Sequence, residues 1–238
     1  YRHTWNARDF LDLYKVNADS ISEDHVVKLE GDVNTRLHES TSVVTKDGSM
    51  MYFTRNNFFD GRKKKDEEGI IRLKIYSAEL IDGEWTNITE LPFNSDSYSV
   101  AHPMLSPDGK KLYFVSDMPG SLGESDIFVT EIIGDGTYGP IQNLGSNINT
   151  MARETFPFIT KDGVLYFSSD GHQGLGGLDV FATKITYNDY TQPVVNVGKP
   201  VNTPKDDFSF IFDSDEKTGY FSSNRDGGMG DDDIYGFV

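Results

Sequence analysis

The chain of 238 residues contains no cysteine, so it can form neither disulfides nor thiol-based sites. It also has no apolar run long enough for a transmembrane helix and no stretch in which apolar residues keep a helical period. Basic residues are scarce, since 22 Lys and Arg face 38 Asp and Glu and leave a formal net charge of −16. Because a broad negative field repels phosphate groups, the sequence predicts no nucleic-acid partner and no direct insertion into an anionic membrane.

Short repeated motifs are what the sequence does contain. The first is an Asp-Gly or Thr-Gly turn that leads into Tyr-Phe, with copies about fifty to sixty residues apart. Its four copies are Lys46–Phe53, Pro107–Phe114, Lys161–Phe167 and Lys217–Phe221. A repeat of this length is typical of propeller blades and solenoid units, which bury their cores against neighbouring repeats.

Two more motifs follow the Tyr-Phe pair in a fixed order. One is Asp, an apolar residue and an aromatic residue, found at Asp126–Phe128, Asp179–Phe181 and Asp233–Tyr235, with Lys74–Tyr76 as a diverged copy and Asp12–Tyr14 as a copy that no Tyr-Phe pair precedes. The other is an apolar residue, Asn and then Thr or Ser, found at Val33–Thr35, Phe93–Ser95, Ile148–Thr150 and Val201–Thr203. Three motifs in one order at near-constant spacing indicate a structural repeat.

Each complete repeat contains four short stretches with the composition of β-strands. In the repeat that starts at Glu154, we expect strands near 156–160, 165–169, 178–184 and 194–197. Aromatic and β-branched residues fill these stretches, and the Asp-Gly step between the first two is a strong hairpin signal. Four strands per repeat predict an all-β fold, namely a β-propeller of four-stranded antiparallel blades.

The expected strands sum to five blades, of which the first and the last are incomplete. Residues 1–35 supply the end of the first blade, residues 39–99, 100–153 and 154–206 supply complete blades, and residues 207–238 supply the incomplete last blade. We expect one propeller domain over 1–238, with the missing strands contributed by sequence before Tyr1. The open strand edges would then need a cover.

The repeated acidic residues are expected to be architectural, because catalysis needs one site and not one in every blade. One set opens a strand after a turn and should cap backbone N–H groups; it consists of Asp12, Asp126, Asp179 and Asp233. A second set precedes the first strand of a blade and consists of Glu39, Glu154 and Asp207. A cluster of Asp226, Asp231, Asp232 and Asp233 is a candidate calcium site, with a solvated acidic loop as the alternative. No other cofactor is expected.

The one basic run lies in an insertion that lengthens the first complete repeat. It consists of Arg62, Lys63, Lys64 and Lys65, and it is preceded by Phe58 and Phe59. One interpretation is a solvated loop whose charge is balanced by Asp66, Glu67 and Glu68. The other is a docking finger for an acidic partner protein, in which the two Phe side chains add apolar contact.

Catalytic motifs are missing from the sequence. There is no nucleophile elbow, phosphate loop or zinc-protease His pair, and the run Gly174–Gly177 is not followed by a helix that would hold a phosphate. The five histidines, His3, His25, His38, His102 and His172, lack the spacing of metal ligands. The sequence therefore predicts that the chain is not an enzyme.

The motifs resemble those of two related groups of propellers. Ser106–Phe114 is similar to the Pro-Asp repeat of TolB-type, WD-like propellers. Longer segments resemble the propeller of OmpA-family proteins from Bacteroidota, and they include Thr54–Phe58, Leu91–Ser95, Ser169–His172, Gly176–Phe181, Ser222–Gly228 and Asp232–Tyr235. That family includes the peptidoglycan-anchoring lipoprotein of type IX secretion, whose peptidoglycan-binding residues lie in a separate domain that this chain does not contain.

The resemblance implies a non-enzymatic scaffold in the periplasm, associated with the outer membrane, whose propeller binds an outer-membrane or secretion complex. The first complete repeat departs from the pattern, since Lys74 stands where its siblings have Asp. Two alternatives stay open. The propeller could bind a glycan or peptide on the face where loops converge, with Trp5 and Tyr98 as weak candidates, or it could be the propeller of a hydrolase such as a sialidase or prolyl peptidase.

Overall fold

The structure is a computed structural model, and it describes residues 10–17, 26–59, 61–185, 192–213, 215 and 217–238. Over these residues it contains β-strands, turns and loops and no helix. The chain divides into two compact units, residues 1–103 and 104–238. His3, Trp5 and His25 lie outside the described residues.

Four antiparallel sheets have the strand connectivity of propeller blades, in which neighbouring strands follow each other along the chain, apart from a two-stranded insertion in the first sheet and a fifth strand that pairs back to the third in the second sheet. The first sheet consists of β3 (Glu39–Val44), β4 (Met50–Asn56), β7 (Leu73–Ile81) and β8 (Glu84–Glu90). The second consists of β9 (Val100–Leu105), β10 (Lys111–Ser116), β11 (Asp126–Gly134), β12 (Thr137–Tyr138) and β13 (Gln142–Asn143). The prediction of an all-β fold built from antiparallel blades is confirmed, with four strands in the first sheet and five in the second.

The third and fourth sheets repeat this plan. The third consists of β14 (Glu154–Ile159), β15 (Val164–Ser169), β16 (Asp179–Lys184) and β17 (Val195–Asn196), and the fourth of β18 (Asp207–Asp213), β19 (Thr218–Ser223) and β20 (Asp233–Phe237). Two small sheets complete the described strands, β1 (Tyr14–Lys15) with β2 (Val27–Lys28), and β5 (Phe58–Phe59) with β6 (Arg62–Lys63). The total of five blades, which assigns β1 and β2 to a first blade, stays a prediction.

The repeated aromatic residues form the apolar cores. In the first unit Phe53, Tyr76 and Trp85 pack together with Val33. In the second unit one cluster joins Phe167 and Phe181 to Ile127 and Ile148, and another surrounds Phe210 and Phe221. The Tyr-Phe and Asp-apolar-aromatic motifs therefore recur because they supply the core of each blade.

The Asn of the third motif ties its segment to the third strand of the blade. Asn149 Oδ1 accepts a hydrogen bond from the Ile127 N–H at 2.8 Å, and its Nδ2 donates to the Ile127 carbonyl at 3.0 Å. The same two-bond clamp joins Asn34 to Leu13, Asn94 to Ile75 and Asn202 to Val180. The Asn side chain thus makes the two hydrogen bonds that one residue of a further strand would make with its backbone. This explains why the Asn is repeated.

The two sets of repeated acids have the predicted architectural roles. Asp126, Asp179 and Asp233 each accept two loop N–H bonds. Glu39, Glu154 and Asp207 bind the N–H and hydroxyl of the preceding Thr. Asp12 is the exception, because its carboxylate pairs with Lys28 Nζ at 2.8 Å.

Candidate partner-docking site

The insertion in the first complete blade folds into a small hairpin between β4 and β7. Strands β5 and β6 are antiparallel, with Phe58 opposite Lys63 and Phe59 opposite Arg62. Gly61 at the turn has a φ of 73°, which is accessible to glycine at little cost. We call residues 58–65 the basic hairpin.

Aromatic contacts hold the basic hairpin against the blade. The ring of Phe59 stacks on the ring of Tyr76, with centroids 6.1 Å apart and an interplanar angle of 8°. The guanidinium of Arg36 lies 5.2 Å from the centroid of the Phe58 ring, a favourable cation–π distance. Phe59 nevertheless keeps 45% of its surface exposed. The hairpin therefore presents a fixed apolar patch beside its charged residues.

A buried lysine network fixes the base of the hairpin. Lys74 is 2% exposed, and its Nζ lies 2.6 Å from Glu90 Oε1 and 2.7 Å from Asp96 Oδ1. Asp96 also accepts a bond from Asn57 Nδ2 at 2.8 Å. The hydrogen bonds from Lys74 and then Asn57 lower the pKa of Asp96. Lys74 thus replaces the loop-capping Asp of the sibling blades by an ion pair that spans the loop.

Two of the acids that follow the hairpin make their contacts with Arg72. Burial opposes the ionisation of Asp66, but its bonds from Ile70 and Arg72 outweigh that effect and lower its pKa. Glu68 lies 4.0 Å from Arg72 as well. Two of the three acids thus lie beside Arg72 rather than beside the basic run, while the choice between a solvated loop and a docking finger stays a prediction.

Three cations of the hairpin remain available to a partner. Lys64 Nζ lies 3.6 Å from Asp96. Arg62, Lys63 and Lys65 are exposed and form no ion pair with any residue that the structure describes. On a chain with a net charge of −16, this local positive patch distinguishes the first complete blade.

A pocket that recurs in three of the sheets is filled by two arginines and one histidine. Arg55 lies over the rings of Phe53 and Tyr76 and donates to the carbonyls of Asp32 and Val33, each at 2.7 Å. Arg225 reaches the equivalent place in the last blade, over Phe221 and Tyr235, with bonds to Pro200 O and Val201 O. His172 occupies this pocket in the third sheet, where its ring nitrogen Nε2 lies 2.7 Å from Ile148 O and its ring contacts Phe167 and Phe181. Sequence analysis missed this pocket, because its occupants come from different positions in the repeat.

The described histidines have structural contacts. His38 Nδ1 accepts a bond from the Leu11 N–H at 3.1 Å, and its ring meets Phe10 edge-on. His102 Nδ1 lies 2.9 Å from Thr41 Oγ1, and the backbone N–H of His102 donates to Thr54 Oγ1. Its φ is 53°, a left-handed conformation that Asn also tolerates. Removal from water lowers the pKa of His102 to about 4.

This pKa makes stability depend on pH. Below pH 6.5 the unfolded chain protonates His102 while the folded chain does not until about pH 4, so the free energy of unfolding should fall as the pH decreases through this window. We expect His102 to account for a loss of about 2 kcal/mol between pH 7 and pH 5. Urea unfolding at both pH values should show a flatter dependence for His102→Asn, and parallel curves for the two proteins would contradict this.

The acidic residues proposed for calcium are spread over several contacts. Asp226 pairs with Lys205 at 3.2 Å, while Asp233 caps the N–H groups of Met229 and Gly230. Burial, followed by the charges of Asp231, Asp206 and Asp233, raises the pKa of Asp232. Within the described residues, no three His, Asp or Glu side chains are grouped as they would be around a metal ion. Calcium binding at these residues stays a prediction.

The second unit contains an open cleft of about 850 Å³ beside the Asp-Gly turns. Tyr113 and Ile159 supply part of its apolar wall, and Lys110, Lys111 and Lys161 lie at its edge. Lys161 pairs with Asp215. The cleft has the mixed character of a site for a small polar or amphipathic ligand. Tyr98, suggested above as a ligand contact, instead donates to the Phe93 carbonyl at 3.1 Å.

No protein-family model matches the chain, and no curated protein matches it. Solved structures do match. A protein assigned as TolB from Agrobacterium tumefaciens is 14% identical with a TM-score of 0.55, over 88% of this chain and 62% of that one. The periplasmic gluconolactonase PpgL of Pseudomonas aeruginosa is 17% identical with a TM-score of 0.50, over 95% of this chain and 62% of that one. An α-L-arabinofuranosidase from Lactobacillus brevis is 18% identical with a TM-score of 0.50, over 81% and 70%.

These similarities establish a β-propeller fold. The chain spans 62% of the length of the TolB structure. The similar folds belong both to TolB and to enzymes, so the fold by itself does not decide whether the chain is an enzyme. None of the described segments forms a helix long and apolar enough to cross a membrane.

Proposed function

We propose that the chain is a non-enzymatic protein-interaction module. It acts in the periplasm as the propeller of an OmpA-family, outer-membrane-associated protein, and it links an outer-membrane or type IX secretion complex to the cell wall. A separate domain would bind peptidoglycan. The motif resemblance supports this assignment, and the periplasmic gluconolactonase among the structures of similar fold supports the periplasmic location alone.

The basic hairpin is the observation that carries the proposal. It combines exposed cations that have no ion pair in the described part of the chain with a half-exposed Phe59 that stacks on the blade. A pre-organised aromatic anchor beside unneutralised charge is the composition of an interaction hot spot. The acidic partner protein would contact Phe58, Phe59 and the basic residues 62–65.

Reversing the charge of the hairpin should remove partner binding and leave stability unchanged. The triple variant R62E/K63E/K65E is expected to reduce recovery of the partner at least tenfold, because three attractive charges become repulsive. Its unfolding midpoint in urea should stay close to that of the parent protein, since these side chains are exposed and make no ion pair with a described residue. Quantitative mass spectrometry of complexes purified with the tagged full-length protein measures this recovery.

The matched control is K46E/K199E/K217E, which changes the net charge equally at exposed lysines outside the hairpin and the cleft. Equal loss of partners in both triple variants would attribute binding to overall charge and contradict docking by the hairpin. Recovery of the same proteins at the same yield from all three samples would also contradict it.

The cleft of the second unit favours one other function, that of a glycan- or peptide-binding module. Its volume of about 850 Å³ falls within the usual range for ligand sites. A glycan and peptide array probed with the chain would test this function. Binding that is lost in an Ile133→Ser variant, whose side chain lines the cleft and is 66% exposed, and retained in the hairpin variant would favour the cleft over the hairpin.

A further inference from the structure

The cleft of the second unit lies between the second and third sheets. Of the residues that line it, Tyr113 on β10 and Ile159 on β14 are buried and form its floor. Ile132 near the end of β11 and Ile185 just after β16 are partly buried, and Ile133 at the rim is exposed. An apolar floor under an open rim is a surface that the apolar part of a ligand can cover.

The corresponding layer between the third and fourth sheets shows which group suits this floor. Ile159 pairs with Leu165 in the third sheet, and Phe212 pairs with Gly219 at the same place in the fourth. Phe212 is therefore the counterpart of Ile159. Its ring stacks on the ring of Phe237, with centroids 6.1 Å apart and an interplanar angle of 11°. An aromatic ring thus stands where the floor of the cleft has the smaller Ile159.

The tyrosine of the Tyr-Phe motif gives a second comparison of the same two layers. Tyr166 is the counterpart of Tyr113, and its ring packs against the ring of Phe210 with centroids 4.7 Å apart. Pro157 holds the position of Phe210 in the third sheet. The layer at the cleft therefore lacks two rings that the next layer contains. Because aromatic rings attract one another beyond the area they bury, a ligand with a ring suits this floor.

The lysines that line the cleft are not all paired. Lys161 is held by Asp215. Lys110 and Lys111 are exposed and form no ion pair within the part of the chain that the structure describes. The chain as a whole is acidic, with a net charge of −16, so unpaired cations beside an apolar floor favour a ligand that also carries a negative group.

Two carboxylates also line the cleft, and they leave Lys110 as the cation for a ligand. Asp108 accepts hydrogen bonds from the Ser106 hydroxyl at 2.6 Å and from the backbone N–H of Lys110 at 3.1 Å. Glu131 stands opposite Lys111 in the pairing of β10 with β11. Lys111 therefore has a carboxylate across the strand from it, whereas the side chain of Lys110 points to no such partner in the register of the sheet.

We propose that this cleft binds an aromatic carboxylate, whose ring covers the floor of Tyr113 and Ile159 and whose carboxylate lies at Lys110. The proposal rests on ligand binding by the cleft, the second of the two functions proposed above. The volume of about 850 Å³ exceeds that of a single aromatic acid, so the cleft has room for a free acid or for the C-terminal aromatic residue of a peptide. Both sources present the same two groups.

The test is a titration of the isotope-labelled chain followed by NMR. N-acetylphenylalanine should shift the amide signals of Ile133 and Gly163, which both line the cleft. N-acetylphenylalanine amide lacks the charge and N-acetylleucine lacks the ring, so each should bind about three- to tenfold more weakly. The peptide acetyl-Ala-Ala-Phe identifies the source, because tighter binding than N-acetylphenylalanine indicates a peptide C-terminus and equal or weaker binding indicates a free acid.

Three variants and one control locate the site. Ile159→Phe introduces the ring that the fourth sheet already has at Phe212, and it should abolish binding by covering the floor. Lys110→Gln should remove the preference for the acid over the amide, since the charge is gone. Ile133→Ser should weaken binding at least threefold through lost apolar contact. Ile81→Ser, at the equivalent exposed position of the first sheet, should leave binding unchanged.

The outcomes separate this assignment from ligand binding in general. Equal affinity for the three acetylated compounds, or binding that survives both Ile159→Phe and Ile133→Ser, would overturn the assignment. Array ligands that bind in the cleft without preference for an aromatic acid would also overturn it, while leaving ligand binding as a function. No signal change at Ile133 and Gly163 at millimolar ligand, together with an array that shows no binding, would overturn both.

Discussion

Replacing Asn202 by alanine should lower the free energy of unfolding by about 4 kcal/mol. Asn202 is 0% exposed and joins the Val180 N–H and carbonyl, each at 2.8 Å. Its Nδ2 also donates to Asn196 Oδ1 at 2.8 Å. The variant leaves these buried groups without partners, and each unsatisfied group costs about 1–3 kcal/mol. Urea unfolding followed by far-UV circular dichroism measures the change in free energy.

Two further variants test whether the loss of stability comes from the clamp or from the removal of any Asn side chain. Asn149→Ala should cost a similar amount, because Asn149 makes the same contacts with Ile127. Asn147→Ala, two residues away and exposed, should change stability by less than about 0.5 kcal/mol. If Asn202→Ala and Asn147→Ala were equally mild, the clamp would not be a stabilising element of the blade.

The variant Arg55→Met should cost about 3–5 kcal/mol, because it leaves a buried carboxylate without its cation. Arg55 is 3% exposed and Glu39 is 1% exposed, and Arg55 Nε lies 3.3 Å from Glu39 Oε1. Burial raises the pKa of Glu39, although Thr35 and Arg55 both favour its ionised form. The variant also removes the bonds to Asp32 O and Val33 O.

A double-mutant cycle tests whether the charge is the cause. The variant E39Q/R55M should recover part of the loss, since no buried charge then remains. Arg153→Met is the exposed control, because the Arg153 side chain is 54% exposed beside Asp170. This replacement should lower the free energy of unfolding by less than about 1 kcal/mol. Additive losses in the cycle would show that the Arg55–Glu39 pair contributes nothing beyond packing.

The Arg55 variant bears on function, because the pocket of Arg55 supports the basic hairpin. Arg55 contacts Tyr76, on which Phe59 stacks. A variant that loosened Tyr76 would therefore be expected to disturb the basic hairpin. The hairpin charge variant leaves these buried contacts in place, so it separates loss of recognition from loss of folding.

The sequence by itself determined the blade plan. The Asp-Gly turns, the alternating aromatic strands and the repeated Asp and Asn follow from local rules, since each acts within a few residues or within one repeat. For that reason strand β15 begins at Val164 and ends at Ser169, close to the expected 165–169. The architectural role of Glu154 followed from its recurrence alone.

Only the tertiary structure decided which charges are neutralised and which groups share a pocket. Asp66 follows the basic run in sequence but faces Arg72, and Lys74 pairs with Asp96 from across the loop. Arg55, His172 and Arg225 fill equivalent pockets from different sequence positions. Ion pairs and pockets depend on which side chains from distant segments of the chain come into contact, and the periodicity of the sequence does not specify those contacts.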